Sequence, residues 1–339
     1  MKKGWKITIG VVASVMLLVI LTISVYFIWP WNRAFFNNAK EEFAIPGLDS
    51  QFVPQGMTKI YEQNKYLVSG YMADESPSRF YVIDGETKKV EKYFTLETSE
   101  GKAYNGHAGG VASYGSSIWI VSSNEEGGFI YRILLEDIEK VEEDGEVVVI
   151  DSYIDSNNNA DWCFVHDNKL FVGEFYLEGK YDTDERHHFK NTSGKTYGAL
   201  AFGFTINEVK KGGLQDNKPV CAISVDDKCQ GVAVTEDGKF ITSSSYSVFN
   251  NSKINMYENV LLKESSTTFR FTAGCEIPVY FLDENAIISS KEVPIMSEEI
   301  VVNEGKLYIL FESGAKKYKK FCRVKLDDVY SVMLDYLDK

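Results

Sequence analysis

Most of the signatures that announce an enzyme are missing from this sequence. Its 339 residues include four histidines and five cysteines, and no CxxC pair or histidine cluster sets them at metal-ligand spacing. No P-loop or GxGxxG opens a helix, and neither a GxSxG elbow nor an HExxH occurs. The glycine-rich "NGHAGG" at 105–110 leads into a strand, so no helix N-terminus waits there for a phosphate. No nucleotide cofactor is indicated. Positive charge is also scarce, with 36 Lys and Arg against 49 Asp and Glu. Five of the basic groups and no acidic one lie in residues 1–40, so the remainder is more acidic than the whole. Such a domain repels nucleic acid and anionic lipid and tolerates cations or neutral ligands, although solubility alone would also account for the charge. The cysteines, Cys163, Cys221, Cys229, Cys275 and Cys322, are odd in number and sit mostly in apolar runs. Buried thiols are expected, with a single Cys221–Cys229 bridge left open and no disulfide framework.

One long uncharged run is present. "ITIGVVASVMLLVILTISVYFIW", residues 7–29, is about as long as the ~20 residues that cross ~30 Å of hydrocarbon. Lys2, Lys3 and Lys6 precede it while only Arg33 and Lys40 follow closely, which favours a cytoplasmic N-terminus. A cleaved signal peptide is the alternative. The run exceeds the usual ~7–15-residue apolar region, and "YFIWPWNR" lacks a small-x-small cleavage site. The expected organisation is a cytoplasmic tail (1–6), a transmembrane helix (7–29), a linker (30–40) and an extracytoplasmic domain (41–339). Trp29 and Trp31 suit the outer lipid interface.

The domain repeats one unit. "QGMTKIYEQNKYLVSGY" from Gln55, "GGVASYGSSIWIVSS" from Gly109, "DWCFVHDNKLFVGEF" from Asp161, "QGVAVTEDGKFITSSS" from Gln230 and "EEIVVNEGKLYILFES" from Glu298 are five hairpins. Each second strand carries an aromatic near its start: Tyr66, Trp119, Phe171, Phe240 and Tyr308. A further hairpin follows most copies, at 79–96, 129–153, 198–225 and 279–294. Four strands per repeat, at a period above ~40 residues, predict a five-bladed, all-β propeller with strands A to D counted outward from the axis. An open array or a two-sheet sandwich is the competing arrangement. The fifth unit supplies A, B and C (320–326) but no fourth strand. Residues 41–47 are expected to complete it and close the ring, removing the exposed edges.

The D–A and B–C connections of a propeller share one face, where the first residues of the A strands surround the axial mouth. That gathers Gln55, Gly109, Asp161, Gln230 and Glu298, with His107 and Glu299 beside them. Two long segments, 176–196 and 246–276, read as B–C loops on the same face and bring Tyr176, Tyr181, His187, His188, Tyr246 and Tyr257. The ligand-binding candidates are Gln55, His107, Gln230, Glu299, Tyr181, His187 and His188. A hard cation such as calcium could take Asp161 with Glu298 or Glu299, and the amide oxygens of Gln55 and Gln230. A zinc site from His107, His187 and His188 fits less well, since adjacent histidines rarely aim at one ion. Asp161 and Glu298 could instead form an acid/base pair for hydrolysis. The same polar residues could also bind a ligand without chemistry, or simply cap strand ends around axial water.

"PQGMT", "GHAGGVASYGSSIWIVSS", "FVGEF", "QGVAV" and "MSEEIVVNEGKLYILFES" resemble a group of uncharacterised bacterial extracytoplasmic propellers, often likened to the quinoprotein amine dehydrogenase β-chain. The resemblance covers nearly all of 50–326 and implies the fold rather than an activity. The tryptophan repeats of quinone-dependent alcohol dehydrogenases are absent, so a quinone cofactor is not implied. A fainter similarity is to calcium-activated nucleotidases, whose Ser-Glu pairs resemble Ser297 and Glu298. It holds in one blade, since Gly109 and Gln230 offer no carboxylate.

Together these readings lead to a single-pass, surface-anchored propeller that binds a small molecule or glycan at its funnel, with a divalent cation on the axis as an option. The alternative is a calcium-dependent hydrolase acting on a glycoside or nucleotide. If the closing strand is a D strand, the chain reaches the domain at the A–B-turn face, which makes the funnel membrane-distal.

Overall fold

The computed structural model describes residues 2–28, 31–271 and 274–338, with side chains described from residue 11 onward apart from 23 and 26–28. The innermost strands, Phe52–Ile60, Gly110–Tyr114, Trp162–His166, Cys229–Val234 and Ser297–Asn303, neighbour one another in a closed ring. Each begins an antiparallel blade that runs outward. Blade 1 continues through Lys65–Met72, Arg79–Asp84 and Val90–Glu97, and blade 2 through Ser117–Asn124, Gly127–Leu134 and Ser152–Asp155. Blade 3 adds Lys169–Gly173, Ala199–Thr205 and Cys221–Val225, and blade 4 adds Phe240–Ser244, Ser252–Tyr257 and Ile287–Val293. Blade 5 has Lys306–Phe311, Asp328–Met333 and, from the other end of the chain, Ala39–Ala44.

The core is five apolar layers, one between each pair of neighbouring blades. Blade strands are therefore apolar on both faces, which is why their sequences run as Val, Ile and Phe with little polar alternation. The five repeat aromatics are all buried in these layers. Truncating one to alanine would cost about 3–5 kcal/mol in such a setting.

Closure by the N-terminal segment is as the repeat count requires, but the partners differ. Residues 320–326 form no strand and lie among turns, with Phe321 exposed. The third strand of blade 5 is Asp328–Met333, paired from Ala39↔Val332 to Ala44↔Asp328. "KFCRVKL" alternates as a strand should, yet "DVYSVM" places Val329, Tyr330 and Val332 in the core. Blade 4 needs a second correction. The segment read as a loop, 246–276, contains its third strand, Ser252–Tyr257, so Tyr257 is buried in the blade rather than offered to a ligand. Strand Glu276–Phe281 leaves blade 4 and pairs in parallel with Cys221–Val225 of blade 3. Likewise Glu146–Val149 adds a parallel fifth strand to blade 1. The five cysteines are free thiols, so the Cys221–Cys229 bridge does not form.

An α-helix spans Lys2–Ile28. Its apolar side chains described between Val11 and Val25 expose half or more of their surface. Among the described residues no helix is long and apolar enough to cross a membrane. The run 7–29 lies partly outside that description. The closing strand begins at the A–B-turn end as expected, with Ala39 opposite Val332 and Val332 opposite Leu307, but the linker reaches it from the other face. Trp31 lies 4.3 Å from the Arg323 guanidinium, in the B–C connection of blade 5. From there the short helix Arg33–Phe36 wedges Phe35 between blades 4 and 5, against Phe311 and Tyr330, before Ala39–Ala44 begins.

Candidate functional site

Three of the five inner strands bulge where they meet the axial mouth. One extra residue is inserted between Pro54 and Gly56, between Cys229 and Gly231, and between Ser297 and Ile300. A bulge re-aims side chains out of the regular pleat, and the residues it frees here are Gln55, Gln230 and the Glu298–Glu299 pair. In blades 2 and 3 the corresponding Gly109 and Asp161 stand just before the strand, each donating its backbone N–H to the second strand, at Val121 O and Gly173 O.

These positions floor a funnel of about 760 Å³ lined by Gln55, His107, Asp161, Gln230 and Glu312 below and by Phe175, Lys180, Tyr181, Tyr246 and Tyr318 above. Gln55 Nε2 donates to Glu312 Oε2 at 3.0 Å, and Gln230 Nε2 to Glu298 Oε1 at 3.5 Å. Asp161 Oδ2 accepts from Phe175 N at 2.7 Å. Burial pushes the Asp161 carboxyl up to about 7, against the pull of that N–H. Burial holds Glu298 well above the carboxylate range, with the neighbouring Glu312 charge raising it further, and lifts Glu312 to about 7 against the lowering hydrogen bonds with Glu298 and Gln55. Two carboxyls in contact share a proton rather than ionise together. On the wall, Lys180 Nζ donates to Tyr246 OH at 2.7 Å and lies 5.0 and 5.2 Å from the ring centres of Tyr181 and Tyr246. Phe175 meets Tyr181 edge-on at 5.4 Å, and opposite them His107 stacks on Tyr71 at 4.6 Å.

Of the sequence candidates, Gln55, His107, Asp161, Gln230 and Tyr181 are brought together. Four are not. Glu298, 3% exposed, lies beneath the floor, hydrogen-bonded to Gln230 and Glu312. Glu299 turns into the axis, where its Oε2 accepts from the backbone N–H of Met57 at 2.8 Å and Val111 at 3.1 Å, with Cys163 as a third donor. A single carboxylate from blade 5 thus ties the inner strands of blades 1, 2 and 3. Gly231 makes room for it, since a Cβ there would lie 2.8 Å from Glu299 Cα. His187 is buried, with Nδ1 2.9 Å from Glu174 Oε1 and its ring edge-on to Phe202 and Phe269. It pins the 176–196 loop from below. His188 contacts Thr183 Oγ1 at 3.0 Å and packs on Tyr176. No zinc site joins these histidines. Among the described residues no group of three or more His, Cys, Asp or Glu is arranged to hold a metal ion. Ser297 is buried against Ser243 Oγ at 2.7 Å, so the Ser297–Glu298 pair behind the nucleotidase similarity is structural in its setting.

The sequence reading missed Glu312, Phe175, Lys180 and Tyr318. Glu312 had a signal, an acidic residue one step past the apolar second strand on the funnel side. Tyr318 and Lys180 lie in connections whose course only the folded blades define.

The Asp161 carboxyl gives a pH prediction. Unfolded, it titrates near 3.8; folded, near 7. Between those values the native state holds the extra proton, so this group's contribution falls as pH rises through the window. Urea unfolding is expected to show a smaller drop in stability from about pH 5 to about pH 8 in Asp161→Asn than in the parent. Equal slopes would mean that Asp161 is not held in this state.

No protein-family model matches this chain, and no curated protein matches it. Among solved structures it is similar to the PQQ-bound aldose sugar dehydrogenase of Streptomyces coelicolor, at 13% identity over 87% of this chain and 96% of that one, with a TM-score of 0.47. The glutaminyl cyclase of Myxococcus xanthus follows at 10% identity, over 87% and 97% of the two chains, with a TM-score of 0.40. The exo-β-1,3-galactanase of Phanerochaete chrysosporium, solved with β-1,3-galactotriose, matches at 8% identity over 81% and 60%, with a TM-score of 0.42. Likenesses this distant carry no functional argument. The five-bladed fold rests on the strand pairing itself.

Proposed function

We propose that this protein is a surface propeller that binds a sugar or the end of a glycan in its funnel. The observation that carries the reading is an aromatic wall facing a polar floor: Phe175, Tyr181 and Tyr246, with Lys180 laid against the two tyrosines, above Gln55, Gln230 and Asp161. A pyranose has apolar C–H faces that stack on rings and hydroxyl edges that need donors and acceptors, which such a site supplies. The cavity volume falls within the ~300–1,000 Å³ usual for small-molecule sites. Anchoring by residues 7–29, with the N-terminus cytoplasmic and the propeller outside the cell membrane, is part of the proposal and stands on the uncharged run and its flanking lysines.

A second reading is glycoside hydrolysis. Asp161 retains a proton near neutrality, as a general acid must, and Glu312 is a carboxyl partner in the same funnel. The calcium-dependent version is the weaker form, because Glu299 is committed to backbone amides and Glu298 to Glu312.

One pair of variants tests both. Tyr181→Ala is expected to weaken glycan binding about tenfold by calorimetry, the loss of one stacked ring. Asp161→Asn should leave binding within a few-fold, and in a hydrolase should cut turnover of chromogenic glycosides by roughly 10²–10⁴. Unchanged binding in Tyr181→Ala would sink the funnel as the ligand site.

A further inference from the structure

Although the domain is acidic, one connection is strongly basic. "AKKYKKFCRVK", residues 315–325, carries Lys316, Lys317, Lys319, Lys320, Arg323 and Lys325 and no acidic residue. Its four lysines from 316 to 320 are exposed. Lys317 donates to Tyr71 OH at 2.7 Å and Lys316 to the Asp49 carbonyl at 3.4 Å, both neutral acceptors. Beside the lysines stand two large apolar side chains turned to solvent, Phe249 and Phe321, each 62% exposed. Both belong to the B–C connections of blades 4 and 5, whose neighbouring residues Val248 and Tyr318 line the funnel. Basic side chains around exposed aromatics are the composition of a surface that lies in a lipid interface.

The N-terminal helix ends at the same place. Trp31 lies against Arg323 at 4.3 Å. Ile28 is three residues earlier, so at ~3.3–3.6 Å per residue the helix end lies within ~11 Å of Trp31. We infer that the funnel-side rim of blades 4 and 5 docks on anionic lipid headgroups through the 316–325 cluster and the Phe249–Phe321 pair, so that the funnel opens beside the membrane. This rests on the anchoring proposed above for the position of the helix, while the patch stands on its own charge and exposure. Net charge alone excludes an anionic lipid partner; its distribution restores one. The funnel ligand would then be reached at the lipid surface rather than at the far end of the molecule.

The test uses the full chain in phosphatidylcholine vesicles, with and without phosphatidylglycerol. A fluorophore is placed at Asn250→Cys on the rim or at Glu236→Cys in an A–B turn, with the exposed Cys275 replaced by serine. Headgroup-level quenching lipid is expected to quench the Asn250 probe and not the Glu236 probe, more strongly when phosphatidylglycerol is present. Replacing Lys316, Lys317, Lys319 and Lys320 by glutamine should abolish that dependence. At about 1 kcal/mol per basic residue, it should also shift the anchored domain's docked-to-undocked equilibrium on the anionic surface by on the order of 10²–10³, read from the quenching. Equal quenching at the two sites, or quenching indifferent to lipid charge and to the substitutions, overturns the docking. Release of the chain by alkaline extraction would overturn the anchor instead. In that event flotation with anionic but not neutral vesicles still supports the patch, and failure to float refutes it.

Discussion

Glu299→Ala will unfold at markedly lower urea concentration than the parent protein, while Glu299→Gln will stay close to it. The alanine leaves the N–H groups of Met57, Val111 and Cys163 without their acceptor at the centre of the ring. A buried donor left unsatisfied costs about 1–3 kcal/mol, so three of them cost roughly 3–6 kcal/mol if water replaces the carboxylate only in part. Glutamine keeps one oxygen at the Oε2 position. It places its amide where Oε1 now lies buried without a partner, near an axial cavity of about 110 Å³ that has room for water. It also removes the penalty of a carboxyl that burial pushes upward. If Glu299 served as a ligand residue or metal donor instead, both variants would keep parental stability and both would lose binding. Unfolding curves of the two, read beside glycan binding, separate these outcomes.

Removing residues 1–44 will leave a protein that aggregates, whereas removing 1–30 will leave a monomer of nearly parental stability. The first cut takes the outer strand of blade 5 and bares Asp328–Met333 as an edge, a ready template for pairing with another chain. It also removes Phe35 and Phe43 from two of the inter-blade layers. Glu42 is lost too, with its bonds to Lys306 Nζ at 3.2 Å and Ser331 Oγ at 2.7 Å. The second cut spares all of these. Size-exclusion chromatography and thermal melting check the pair, and a monomeric, stable 45–339 chain would refute closure by this strand.

The repeat was legible because each blade spends its hydrophobic residues the same way. An inner strand apolar on both faces, a turn, and a second strand opening on a large aromatic recur five times, and the structure buries all five aromatics between blades. Segments with weaker demands were misread. Strand Ser252–Tyr257 interleaves Lys253 and Asn255 with its apolar residues, and "KFCRVKL" alternates without being a strand. Alternation reports a half-buried strand, and a surface loop can imitate it.

At the site, sequence order alone located Gln55, Asp161 and Gln230, because the first residue of each repeat must lie near the axis once the ring closes. It could not say which way consecutive side chains face. Glu298 and Glu299 are adjacent and chemically identical, yet the bulge between Ser297 and Ile300 sends one to a carboxyl pair under the funnel and the other to the amides of three neighbouring strands. His187 and His188 look like paired ligands in the sequence. Glu174, thirteen residues upstream of His187, makes that side chain a buried clasp. Sequence by itself therefore determined the number of blades, the ring and the strand starts that face the axis, since periodic burial is written into local composition. Only the tertiary structure decided which polar groups meet solvent, which neutralise one another and on which side the N-terminal helix leaves, because those depend on contacts between residues far apart in the chain.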